Sequence, residues 1–235
     1  MKRKNVWKRM ACLCLMLFLT GISGLAGAFD GKDAYDRELD TLYAMIQEGN
    51  GYVPFGEERD DLMAVWEGVW ELSPAQGLEQ VQYQLMDCNG DGEPELITGQ
   101  DNRITNLFTI RKGRIHRVFS GFYRNAWYYL GNGRFLNQGS GGASMALLGE
   151  YYLDGDGNLV CENYYFTHWN PDVEKVEVYW NTIGVPDRAR SEKQDMTPDQ
   201  FQKLQETLMG KVKKLSWQSL AQYGKESQKS GAEEG

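Results

Sequence analysis

Asp87, Asn89 and Asp91 alternate along a short stretch that continues Gly92-Glu93-Pro94-Glu95, giving the pattern D-x-N-x-D-G-x-x-E. Oxygen-bearing side chains at alternate positions of a tight loop converge on one point. A calcium ion takes six to eight oxygens at about 2.3–2.6 Å, and this is a set of that kind. In such an arrangement Asp87, Asn89 and Asp91 supply side-chain oxygens and Glu93 its backbone carbonyl, while Glu95 ligates directly or through water. Gly92 permits the sharp turn that aims them inward. An EF-hand is excluded. Its twelfth position holds a bidentate Glu, where this chain has Thr98, and the eighth position is Pro94, which has no N–H to give.

Other residues with chemical potential reduce to simpler readings. Gln138-Gly-Ser140-Gly-Gly142 lacks the glycine that a nucleophile elbow places two residues before its serine, so it reads as a glycine-rich bend. His116 and His168 are the only histidines, and no third ligand is spaced to join them around zinc. Asp154-Gly-Asp156-Gly-Asn158 mimics the spacing of the first loop but is fully explained as a hairpin turn. No catalytic residue is assigned, and a hydrolase built on paired carboxylates is the weakest of the functions considered. Trp127-Tyr128-Tyr129 and Tyr164-Tyr165-Phe166 with Trp169 read chiefly as core. Adjacent rings in a strand point to opposite faces, so some of them should remain outside and could stack on sugars.

The elements that must position these residues follow from periodicity. Tyr35, Leu39, Leu42, Tyr43 and Ile46 keep helical spacing until Gly49-Asn50-Gly51, and Leu62, Val65, Trp66, Val69 and Trp70 repeat it until Ser73-Pro74. From about Gln80 the period becomes two: Val81, Tyr83 and Leu85 enter the acidic loop as one strand and Leu96-Ile97-Thr98 leave it as another. A weak repeat then appears. Phe108-Thr-Ile-Arg-Lys-Gly113-Arg-Ile115, Tyr128-Tyr-Leu-Gly-Asn-Gly133-Arg-Phe135 and Tyr151-Tyr-Leu-Asp-Gly-Asp-Gly157-Asn-Leu159 each read as strand, glycine turn and returning strand. Their glycines are 20 and 24 residues apart. Thr197-Pro198-Asp-Gln200 is a capping box that opens a final helix bearing Phe201, Leu204 and Leu208.

The segment from Tyr83 to Ile97 resembles the D-x-N-G-D-G-x-x-[DE]-L stretch of FG-GAP and VCBS-type calcium loops. It is most similar to exported bacterial proteins of unknown function that carry this stretch once, ahead of glycine-turn hairpins. The resemblance implies a calcium-stabilised β-domain at the cell surface without an established activity. Cys88, where an aliphatic residue is usual, and the single copy of the loop depart from the propeller members of that group.

The first 28 residues have the three zones of a secretory signal: the positive Lys2, Arg3, Lys4, Lys8 and Arg9, the apolar run Met10–Leu19, and the cleavage site Ala26-Gly27-Ala28. Removing them takes five of the 25 basic residues and none of the 33 acidic ones, leaving 207 residues with a formal charge of −13. That balance argues against a nucleic-acid partner and suits a secreted, cation-binding protein. Only Cys88 and Cys161 remain, too few for a disulfide framework, and they read as free thiols although export would permit a bridge. The expected fold is α+β, with two N-terminal helices and one C-terminal helix on an antiparallel β-meander that could roll into a barrel or propeller-like sheet. The expected boundaries are a signal peptide at 1–28 and one domain at 29–223. Within it, 29–74 is helical, 79–190 the meander with its loop at 87–95, and 197–223 helical again; a disordered tail covers 224–235. The expected function is that of an exported module with a structural Ca2+ loop, binding a surface or extracellular ligand, with no membrane partner after cleavage. A carbohydrate-binding module is the alternative.

Overall fold

The periodic runs become helices and strands because each buries one face. The computed structural model describes residues 31–48, 65 and 68–224. The expected signal peptide, much of the expected second helix and the tail from residue 225 onward lie outside these residues. Helix α1 (Gly31–Glu48) buries Tyr35, Leu39, Leu42 and Ile46. Val65 and residues 68–69 are helical. Ser73-Pro74, expected to end a helix, begins one instead: α2 (Pro74–Gln80) is capped by Ser73, with Pro74 in its first turn and Gln76 completing a capping box. That signature is the one read at Thr197, and it reappears here at the other end of the chain.

The strands are β1 (Gln82–Met86), β2 (Glu95–Gln100), β3 (Arg103–Arg111), β4 (Arg114–Ser120), β5 (Asn125–Gly131), β6 (Arg134–Gly142), β7 (Met145–Leu153), β8 (Leu159–Asn170), β9 (Lys175–Asn181), β10 (Glu192–Gln194) and β11 (Gln218–Ser219). They form one antiparallel sheet in the order β10-β9-β8-β7-β6-β5-β3-β2-β1-β11, with β4 paired to β3 outside this path. The sheet is open rather than a barrel or propeller, and it ends in two short strands, β10 and β11. The three glycine repeats are the hairpins β3–β4, β5–β6 and β7–β8. The first hairpin splays. β4 takes most of β3's free edge, and β5 pairs with β3 only at Ile104↔Trp127.

Alternation along the strands feeds cores on both faces. Ile97, Leu107, Phe135, Tyr164, Phe166 and Tyr179 share one cluster, which the curled sheet fills from its own inner face. Their neighbours Leu96 and Phe108 turn outward beneath α1, Leu78 and Leu220. Leu136, Leu148 and Val178 turn outward beneath Phe201 and Leu208 of α3 (Pro198–Met209). The C-terminal segment is not helical throughout, as expected from 197 to 223. α3 closes at Gly210, after which Lys213 N–H donates to Tyr129 O at 2.8 Å and Ser216 N–H to Gln84 Oε1 at 2.7 Å. β11 then adds to β1, and residues 220–224 are helical. Backbone donors that bond β5 and β1 are withdrawn from a helix. No helix among the described residues is long and apolar enough to cross a membrane.

Candidate functional site

The acidic loop joins β1 to β2 at one end of the sheet, and its side chains organise its backbone. Asp87 accepts from Gly90 N–H at 2.7 Å through one carboxylate oxygen and from Gly92 N–H at 3.1 Å through the other. Asn89 Oδ1 accepts from Asp91 N–H at 3.1 Å, and its amide donates to Asp91 Oδ2 at 2.9 Å. Asp91 Oδ1 accepts from Glu93 N–H at 2.8 Å. Gly92 has a φ of +90° with nothing near its missing Cβ, so the backbone conformation alone demands glycine. Asp87 and Asp91 are exposed; Asn89 and Glu93 are half-buried. Each bonded oxygen keeps a second lone pair.

Glu95 lies elsewhere. It is the first residue of β2, 1% exposed, and its carboxylate is split between Cys88 N–H at 2.7 Å and the Thr109 hydroxyl at 2.9 Å. It pulls the loop shut from inside the protein. Burial raises its pKa above the usual carboxylate range; the two donors oppose this, and Asp91 and Asp87 add to the rise. Burial, followed by the Glu95 carboxylate, also pushes the Cys88 thiol far up, so it stays protonated. Cys88 and Cys161 are both unpaired.

Two neighbours of the loop come from distant sequence. Thr109 belongs to β3. Gly133, in the β5–β6 turn, has a φ of +69°, and a Cβ there would stand 2.1 Å from the Cys88 carbonyl oxygen. The second glycine hairpin therefore docks on the loop, a contact that no local spacing announces.

Asp87, Asn89 and Asp91 thus share one hydrogen-bonded loop with Glu93 beside them, while the Glu95 side chain is engaged separately. Among the described residues no group of three or more His, Cys, Asp or Glu side chains is arranged to hold a metal. Asn89 and backbone carbonyls, which belong to a calcium donor set, fall outside such a group. One observation fits a cation: the Glu93 Oε2 atom is buried without a hydrogen-bond partner. The donor chemistry also fits, being all oxygen, with the two carboxylates of Asp87 and Asp91 supplying negative charge.

The other motifs resolve simply. Asp154 accepts from Asp156 N–H, Asn158 N–H and the Asn158 amide, which closes the β7–β8 turn. Ser140 donates to Gly142 O at 3.1 Å at the bend into β7. His116 is exposed on β4, and His168 Nε2 lies 3.1 Å from Arg188 Nη1. Of the aromatics singled out, Trp127, Tyr164 and Phe166 are core and only Trp169 is exposed, at 44%. Among the described residues the most exposed rings are others: Tyr123 at 81%, Trp70 at 59% and Phe122 at 50%. Comparisons with protein-family models, with curated proteins and with solved structures each give no match.

Proposed function

We propose that this protein is an exported module whose β1–β2 loop holds one structural Ca2+ ion, and that it acts by binding a ligand at or beyond the cell surface. The observation that carries the calcium reading is the loop's internal order. Asp87, Asn89 and Asp91 each accept a backbone N–H of the loop, and a buried Glu93 oxygen beside them has no partner. The groups that would hold the ion are the side chains of Asp87, Asn89 and Asp91 and the Glu93 carbonyl, with the unpartnered Glu93 carboxylate oxygen beside them and Glu95 bracing the loop. Bound there, the cation would neutralise a cluster of acids and fix the connection between β1 and β2, near the β11 end of the sheet. That is a structural role rather than a catalytic one. The chain's acidic balance and the signal-like first 28 residues support an extracytoplasmic setting, where calcium is abundant enough for a modest site.

Titration calorimetry on the chain beginning at Phe29 tests this reading. It should give one Ca2+ per chain with a Kd of about 10⁻⁵–10⁻³ M, the range of sensor and extracellular sites. Asp87→Ala/Asp91→Ala should give no saturable heat. A wild-type protein without saturable heat would reduce the loop to a turn.

A further inference from the structure

At the opposite end of β2 and β3 from the acidic loop, the β2–β3 and β4–β5 turns flank a shallow cleft. Gly68, Gln100, Arg103, Thr105, Phe122 and Tyr123 line it. Its enclosed space is about 80 Å³. Pockets that engulf a small ligand run from about 300 Å³ upward, so an occupant would lie across the mouth rather than inside. Tyr123 and Phe122 stand on that mouth at 81% and 50% exposure, and Trp70, two residues from Gly68, is 59% exposed.

The rings are held in place. Phe122 and Asn125 exchange backbone hydrogen bonds of 3.0 and 2.9 Å across the two-residue tip, and Gly121 N–H donates to Thr105 O at 2.7 Å. Arg103 Nη2 donates to Tyr123 O at 3.3 Å while its guanidinium lies 6.0 Å from the Tyr123 ring centroid. Large rings are therefore exposed on a turn that is already ordered, so little entropy is lost when something covers them. The Gln100 amide and the Arg103 guanidinium, both planar hydrogen-bonding groups, lie beside them.

We infer that this cleft binds a saccharide chain. A pyranose offers an apolar C–H face to an aromatic ring and hydroxyls to amide and guanidinium groups at its edge, and both kinds of surface occur here. A stable protein partner needs about 800 Å² per side, whereas Phe122 and Tyr123 line one small cleft. A nucleic acid would also stack, but a formal charge of −13 after signal removal repels its phosphates. The inference shares with the calcium reading only the premise that the protein works outside the cell.

The test is binding of the exported chain to a printed array of bacterial, fungal and plant oligosaccharides, in calcium and in chelator, followed by fluorescence titration of a retained saccharide. A defined saccharide group should be bound saturably. Tyr123→Ala should weaken that binding about tenfold or more, as loss of a central aromatic anchor does, and leave the melting temperature unchanged because the ring is exposed. Trp169→Ala, several strands along the sheet, should bind as wild type. No saccharide retained in either condition, or binding that survives Tyr123→Ala, overturns the inference. The calcium response of the melting temperature, read on the same proteins, separates this failure from failure of the calcium reading.

Discussion

Glu95 is placed where an acid is costly. It is buried under the loop, with one oxygen on the Cys88 N–H and the other on Thr109. Burial raises its folded pKa above the unfolded value of about 4.3. Between those two values the folded protein holds the extra proton, so stability falls as pH rises through that window. Glu95→Gln removes this titration and keeps the shape. In chelator, where no cation competes, the stability of Glu95→Gln relative to wild type should therefore improve from about pH 4 upward and level off once pH passes the raised folded pKa. Urea unfolding at several pH values checks this, and parallel curves would contradict it. The spacing of Asp87, Asn89, Asp91 and Glu95 made the loop legible because calcium donors must alternate on a short turn. It did not reveal that the Glu95 carboxylate faces Thr109, because strand pairing alone brings those two residues together.

The helices and hairpins were legible wherever local chemistry decides them. Thr197 caps α3 as its sequence requires: Gln200 N–H donates to the Thr197 hydroxyl at 3.2 Å and the Gln200 side chain accepts from Thr197 N–H at 2.8 Å. Ser73-Pro74-Ala-Gln76 has the same form, and there the proline misleads because it breaks a helix from within but starts one at its first turn. Lys112-Gly113 and Asn132-Gly133 both have positive φ at their two central residues, as two-residue hairpin turns demand. The docking of one of these turns was not legible. Gly113 has open space around its missing Cβ, whereas Gly133 meets the Cys88 carbonyl. Gly113→Ala should then cost only the left-handed backbone strain, about 1–2 kcal/mol. Gly133→Ala should cost clearly more, since a backbone oxygen must move as well. Equal losses in denaturant unfolding would mean that the second hairpin does not dock on the loop.

For the molecule as a whole, period-two alternation announced an antiparallel meander of half-buried strands, whereas Leu96, Phe108, Leu136, Leu148 and Val178 on its other face are buried as well. It did not announce the path taken: β4 leaves the main order, β10 and β11 end the sheet short, and the inner face curls over its own core instead of closing. Closure depends on twist accumulated over ten neighbours, and no single strand records it. This architecture sets the acidic loop and the aromatic cleft at opposite ends of β2, so a cation at one end would brace a strand that runs to the other. The melting temperature of the chain from Phe29 onward, with calcium and with chelator, tests the central claim most directly. At 100 times its Kd, calcium should stabilise by about 2.7 kcal/mol, a rise of roughly 5–10 °C for a domain of this size, and Asp87→Ala/Asp91→Ala should not respond. A wild-type melting temperature indifferent to calcium would contradict the account.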